Sequence, residues 1–175
     1  RSLVDGTATA GDLALAAEEF DAMLAAFTRC DTPVVAAVNG LAVGIGAMLL
    51  LHCDLVLMAE SARLRLPFTA LGVVPEAGSS ALLPARMRGG DAAWALFSSA
   101  WIDAPQAVAT GFAWRVVPDA RLLEEAGAVA AAIAANDPAA VAATKRLLLA
   151  GRAEGVRAAM DRELVAMRAL RSARP

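Results

Sequence analysis

The run Pro33-Val-Val-Ala-Ala-Val38-Asn39-Gly40-Leu-Ala-Val-Gly44-Ile45-Gly46-Ala47 decides how this chain folds. Its first six residues are apolar and partly β-branched, which suits a strand buried on both faces. Asn39-Gly40 then turns the chain, and Gly44-Ile45-Gly46 leads into a short apolar helix over residues 47–52. Glycine turns without a Cβ penalty, and the first amides of a helix have no internal acceptor. Such amides hold a phosphate, or a carbonyl oxygen that gains charge during reaction. No Gly-Lys-Ser/Thr and no full G-x-G-x-x-G accompanies the loop, which speaks against phosphate. A lone Gly-x-Gly also occurs in plain strand-to-helix turns.

Before this run, Leu13, Ala16, Ala17, Phe20, Leu24 and Phe27 fall at helical spacing, predicting a helix over 11–30 that Thr32-Pro33 stops. After it, residues 54–58 and 63–66 read as a second and third strand. Two short helices follow, one opening near Pro75-Glu76 and one over 91–99. Asp103 with Gln106 forms a capping box for a helix over 104–110, and 112–117 is a last strand. The rest predicts helices over 121–135, over 138–150 with Asp137 as N-cap, and over 156–170. The last carries Val156, Met160, Leu164, Met167 and Leu170 on one stripe. Strands early and helices late predict an α/β core over 1–118 and a helical oligomerisation tail over 119–175.

The composition fits one domain. The 175 residues carry a net charge of −2 with no basic stripe, so a nucleic-acid partner is not expected. The arginines at 152, 157, 162, 168, 171 and 174 alternate with acids and read as a solvated helix face. The apolar runs 41–51 and 126–135 are shorter than the roughly 20 residues a membrane span needs. No membrane partner is therefore expected. Two cysteines, Cys30 and Cys53, without metal spacing read as small buried apolar residues in a reducing, cytoplasmic setting. The chain opens Arg1-Ser2-Leu3 with no initiator Met and reads as though it starts inside a longer protein.

The opening run resembles the crotonase (enoyl-CoA hydratase/isomerase) family. So, in order and spacing, do Cys53-Asp54, Ala59-Glu-Ser-Ala-Arg63, Pro67-Phe68, Leu71-Gly-Val-Val-Pro75, Ser79-Ser80, Ile102-Asp-Ala104, Val116-Val-Pro-Asp119 and Ala142-Ala-Thr-Lys145. The resemblance runs from about Pro33 to Ala150. It implies the ClpP/crotonase β-β-α spiral fold, an acyl-CoA thioester substrate, no separate cofactor and a homotrimer or hexamer. It also implies that the amide of Ile45 is one of two donors to the thioester oxygen, with Gly44 and Gly46 shaping the loop. The other donor would belong to a motif preceding Arg1. Ala42, Met48, Pro67, Phe68 and Leu71 would line the substrate.

Hydratases of that family use two glutamates, and at the matching places this chain has Met48 and Phe68, neither able to move a proton. A different carboxylate stands at Glu76, in Val74-Pro-Glu-Ala-Gly-Ser-Ser80, where the resemblance is to Δ3,Δ2-enoyl-CoA isomerases of the peroxisomal type. Their equivalent glutamate is the base. One carboxylate suffices for isomerisation, because C2 and C4 of an enoyl thioester lie only about 2.5 Å apart. Met48, Phe68 and Leu71 should raise the Glu76 pKa, and a nearby helix N-terminus should lower it. Spacing alone reads Glu76 as an ordinary helix N-terminal residue; the family register makes it catalytic. Other enolate chemistry, hydratase-like included, and a non-catalytic assembly role are the alternatives.

Further expectations concern single side chains. His52, the lone histidine, reads as structural, Asp54 as a turn or subunit contact, and Glu60 with Arg63 as a surface pair. Asp119 reads as a turn residue, Lys145 as a solvated lysine or a phosphate ligand, and Trp94, Trp101 and Trp114 as core or interface.

Overall fold

A computed structural model of the chain describes residues 9–173; Arg1-Ser2-Leu3 and Arg174 lie outside the described residues, as do the side chains of Leu13 and Ala17. The chain forms two compact units that divide between Cys30 and Asp31. The first holds α1 (Ala10–Arg29), whose start is fixed by a capping box between Thr9 and Asp12. Each side chain there satisfies an amide that the helix itself leaves unpaired.

The second unit begins with β1 (Val35–Val38), β2 (Leu41–Val43) and α2 (Ile45–His52). Next come β3 (Leu55–Ala59), β4 (Arg63–Arg65), a 3₁₀ turn at Thr69–Leu71, α3 (Ser79–Arg86) and α4 (Gly89–Ser98). Then follow β5 (Trp101–Asp103), α5 (Ala104–Ala109), β6 (Arg115–Val117) and a 3₁₀ turn at Asp119–Arg121. The unit closes with α6 (Leu122–Ala134) and α7 (Pro138–Ser172).

The strands divide between two sheets of three. β1, β3 and β6 form one in the order β1-β3-β6, all parallel; β2, β4 and β5 form the other, with β2 parallel and β5 antiparallel to β4. Successive strand pairs followed by helices thus wind as a β-β-α spiral. β3 reads Leu-Val-Leu-Met-Ala without alternation because it is the middle strand of a parallel sheet, with α6 packed against it and β1. Val56, Leu57, Met58, Leu64, Leu66, Met48, Leu51, Leu83 and Phe112 are almost wholly buried, each burial contributing roughly 1.5–3 kcal/mol.

Several expectations are corrected. β2 and β5 are strands the sequence did not announce; each has only three residues. β6 starts at Arg115 rather than 112. α3 starts at Ser79, not near Pro75, because Ala77 (φ +59°) and Gly78 (φ +74°) take left-handed backbone that interrupts a helix. The predicted helices over 138–150 and 156–170 are one 35-residue helix, α7. Gly151 and Gly155 each cost about 1 kcal/mol in helix propensity, but packing of α7 on α3 carries the helix through them.

Candidate active site

Sheet register brings two of the expected segments together. Because β2 and β4 are parallel with Val43 opposite Arg65, both strands deliver their following residues to the same end of the sheet. From β2 comes Gly44 and from β4 come Leu66, Pro67 and Phe68, and the Gly44 amide donates to the Arg65 carbonyl at 2.9 Å. Gly44 has φ +55°, and a Cβ there would meet nothing within 4 Å, so its need for glycine is conformational. It caps α2, at whose head the amides of Ile45 and Gly46 have no acceptor inside the helix. Of these, the Ile45 amide is the one expected to receive an oxyanion, with Gly44 and Gly46 shaping the loop. Ala42, Met48 and Phe68 are all buried. Leu71 is 64% exposed.

Glu76 lies in the loop between the 3₁₀ turn and α3, half-buried. Among the described residues no hydrogen bond or ion pair engages its carboxylate. Its backbone is well fixed: its carbonyl accepts from the Ser79 amide at 3.1 Å and from Ser79 Oγ at 2.6 Å. The next residue, Ala77, is tied to α2, since its carbonyl accepts from His52 Nε2 at 2.9 Å. Burial raises the Glu76 carboxyl above the usual carboxylate range; the negative charge of Glu163 pushes the same way, and Arg171 opposes both. The amides at the N-terminal end of α3 are occupied by a different side chain.

That side chain is Glu163 of α7. It accepts from the amides of Gly78 and Ser80, at 2.8 Å each, and is 7% exposed. The sequence reading missed it. The buried face of α7 runs through Val156, Ala159 and Glu163, whereas Leu164 is 51% exposed, so the true stripe is rotated from the expected one. An acid at helical spacing from Val156 and Ala159 was the available signal.

Other candidates resolve into structural roles. His52 is buried, as expected, and desolvation lowers its pKa. Lys145 is neither solvated nor free for a phosphate: it is 3% exposed and pairs with Asp54 at 2.5 Å, while Asp54 also accepts from the Val34 amide. Glu60 and Arg63 form no ion pair among the described residues. Asp119 receives the amide and hydroxyl of Ser61 at the 3₁₀ turn. Cys53 is buried, but Cys30 is only half so, and no disulfide joins them. All three tryptophans are exposed rather than core; Arg65 stacks on Trp101 and Arg115 on Trp114. Among the described residues no three acidic, histidine or cysteine side chains are grouped to hold a metal, and no single helix is long and apolar enough to cross a membrane.

The two three-stranded sheets and the glycine turn heading α2 define a crotonase-type architecture, and comparison with known proteins agrees. The enoyl-CoA hydratase/isomerase family model matches residues 4–170, and the chain belongs to that family. A probable enoyl-CoA hydratase of Rhodobacter capsulatus is 38% identical over 134 residues, covering 77% of this chain and 52% of its own length. The 1,2-epoxyphenylacetyl-CoA isomerase of Escherichia coli is 38% identical over 125 residues, covering 70% of this chain and 47% of its own. A crystal structure of an enoyl-CoA hydratase/isomerase from Pseudoalteromonas atlantica superposes with a TM-score of 0.81 at 41% identity, over 84% of this chain and 59% of that one. The chain spans about half the length of the curated relatives it matches.

Proposed function

We propose that this chain carries the proton-transfer part of an acyl-CoA double-bond isomerase, converting 3-enoyl-CoA to trans-2-enoyl-CoA with Glu76 as the single base. The observation that carries the reading is Glu76 itself: a half-buried carboxylate of raised proton affinity, without a hydrogen-bond partner among the described residues, in a chain with Met48 and Phe68 where the family resemblance puts a hydratase's glutamates. Its carboxylate removes a proton from C2, and the electron pair moves onto the thioester oxygen as the dienolate forms. The Ile45 amide is one donor to that oxygen. The protonated Glu76 then delivers its proton to C4, the electrons return, and the double bond stands between C2 and C3. A raised pKa suits this cycle, because a base nearer neutrality both accepts and returns the proton readily.

Relatives bear both hydratase and isomerase names, so the test offers both substrates. In the full-length protein, Glu76→Gln should lower 3-enoyl-CoA isomerisation by about 10²–10⁴-fold. Unchanged turnover would sink the reading, and robust hydration of 2-enoyl-CoA by the wild type would favour hydratase-like chemistry instead. A homotrimeric or hexameric assembly in the cytoplasm, acting without a separate cofactor, belongs to the same proposal; light scattering on the purified protein checks the assembly.

A further inference from the structure

We propose that Glu163, on the C-terminal helix α7, is the positioning residue for the Glu76 loop, clamping its backbone and supplying the negative charge that faces the base. This rests on the reading of Glu76 as the base. Ala77 and Gly78 are consecutive residues of positive φ, and the turn they make at the head of α3 leaves the Gly78 and Ser80 amides without a backbone acceptor. Their acceptor comes from 85 positions away: the Glu163 carboxylate receives the Gly78 amide at 2.8 Å and the Ser80 amide at the same distance. From the other side, His52 of α2 holds the Ala77 carbonyl. Positive φ is unfavourable for alanine, so Ala77 keeps this conformation because contacts on both flanks impose it.

Packing makes the fit specific. A Cβ on Gly78 would lie 2.8 Å from Cγ1 of Val156, about two helical turns before Glu163 on α7, so only glycine lets α7 approach this closely. Burying a carboxylate is costly unless hydrogen bonds compensate, and two short amide bonds do so. The charged and titratable groups around Glu76 are Glu163 and Arg171 from α7 and, beside Ala77, His52 from α2. A mere helix cap would affect stability alone. A positioning residue also affects the turnover and protonation of Glu76.

The test uses Glu163→Gln and Glu163→Asp in the full-length protein, with Glu76→Gln as reference. Glutamine keeps the size but loses the charge and puts an amide donor against the loop's N–H groups. Expected is a fall in kcat of about tenfold to a hundredfold with little change in KM. The acid limb of the pH profile should move to lower pH, since the repulsion that raises Glu76 is gone. Aspartate keeps the charge but is a methylene too short to reach both amides, so kcat falls while the acid limb stays. Titration of the Glu76 carboxyl by ¹³C NMR, wild type against Glu163→Gln, reads the same shift without any substrate. Wild-type kcat and an unmoved Glu76 titration in Glu163→Gln overturn the proposal. If Glu163→Gln does not fold, full kcat in Glu163→Asp does so. An active Glu76→Gln instead refutes the isomerase reading, and the NMR titration then decides the clamp separately.

Discussion

His52 donates its Nε2–H to the carbonyl of Ala77 at 2.9 Å, joining the end of α2 to the residue beside Glu76. A carbonyl can only accept, so the proton of the neutral imidazole resides on Nε2. Burial holds the histidine below its usual 6.5, and the bond to Ala77 only partly offsets this. The unfolded chain therefore takes up a proton at higher pH than the folded one. Stability from neutral His52 is full above about pH 6.5 and is lost as pH falls through the folded value.

Replacing the ring tests this. His52→Phe keeps much of the volume but leaves the Ala77 carbonyl unpaired, costing about 1–3 kcal/mol in urea unfolding at pH 7.5. Between about pH 7 and 5 its stability should also vary less with pH than the wild type's. A variant as pH-sensitive as the wild type would count against the assignment.

Glu76 has the opposite sign. Its folded pKa lies above the usual 4.5, so the folded state is favoured at low pH and loses that advantage as pH rises through the folded value. Glu76→Gln mimics the protonated form. Thermal melts should show the variant more stable than wild type at pH 7, with the difference vanishing near about pH 4. A destabilised variant at pH 7 would show that the carboxylate is compensated rather than strained.

The Lys145–Asp54 pair is asymmetric in burial, with the lysine side chain 3% and the aspartate 22% exposed. Asp54→Ala strands a buried ammonium and should cost about 3–5 kcal/mol. Lys145→Met leaves a partly solvated carboxylate still bonded to the Val34 amide and should cost distinctly less. Equal losses in chemical denaturation would contradict this order.

Gly78→Ala combines φ +74° with the 2.8 Å approach to Val156. It should cost about 1–3 kcal/mol from the backbone alone, and more from the clash. Val156→Ala removes the clashing methyls, so the two changes together should cost less than their sum. Strict additivity in the double-mutant cycle would mean that α7 does not press on the loop.

Much of the fold is legible in the residues. β1, β3, α2 and α5 follow from an apolar run, a glycine turn and a capping box, all read over a few positions. The register of family motifs along the chain singles out Glu76 and the Ile45 amide. The strands β2 and β5 were not legible, because Leu41-Ala-Val43 and Trp101-Ile-Asp103 show no alternation of their own and are strands only by pairing with β4. The continuity of α7 was also hidden, since its two glycines argue locally for a break.

The sequence by itself determined the family, the alternation of strand and helix around the glycine turn, and which carboxylate stands where chemistry is expected. Those follow from local sterics and from ordered motifs along the chain. Only the tertiary structure decided what surrounds that carboxylate. Glu163 meets the Gly78 amide, His52 meets Ala77 and Lys145 meets Asp54 across separations of 85, 25 and 91 positions. Each pairing exists because packing brings distant elements within hydrogen-bond reach, and local sequence carries no term for that distance.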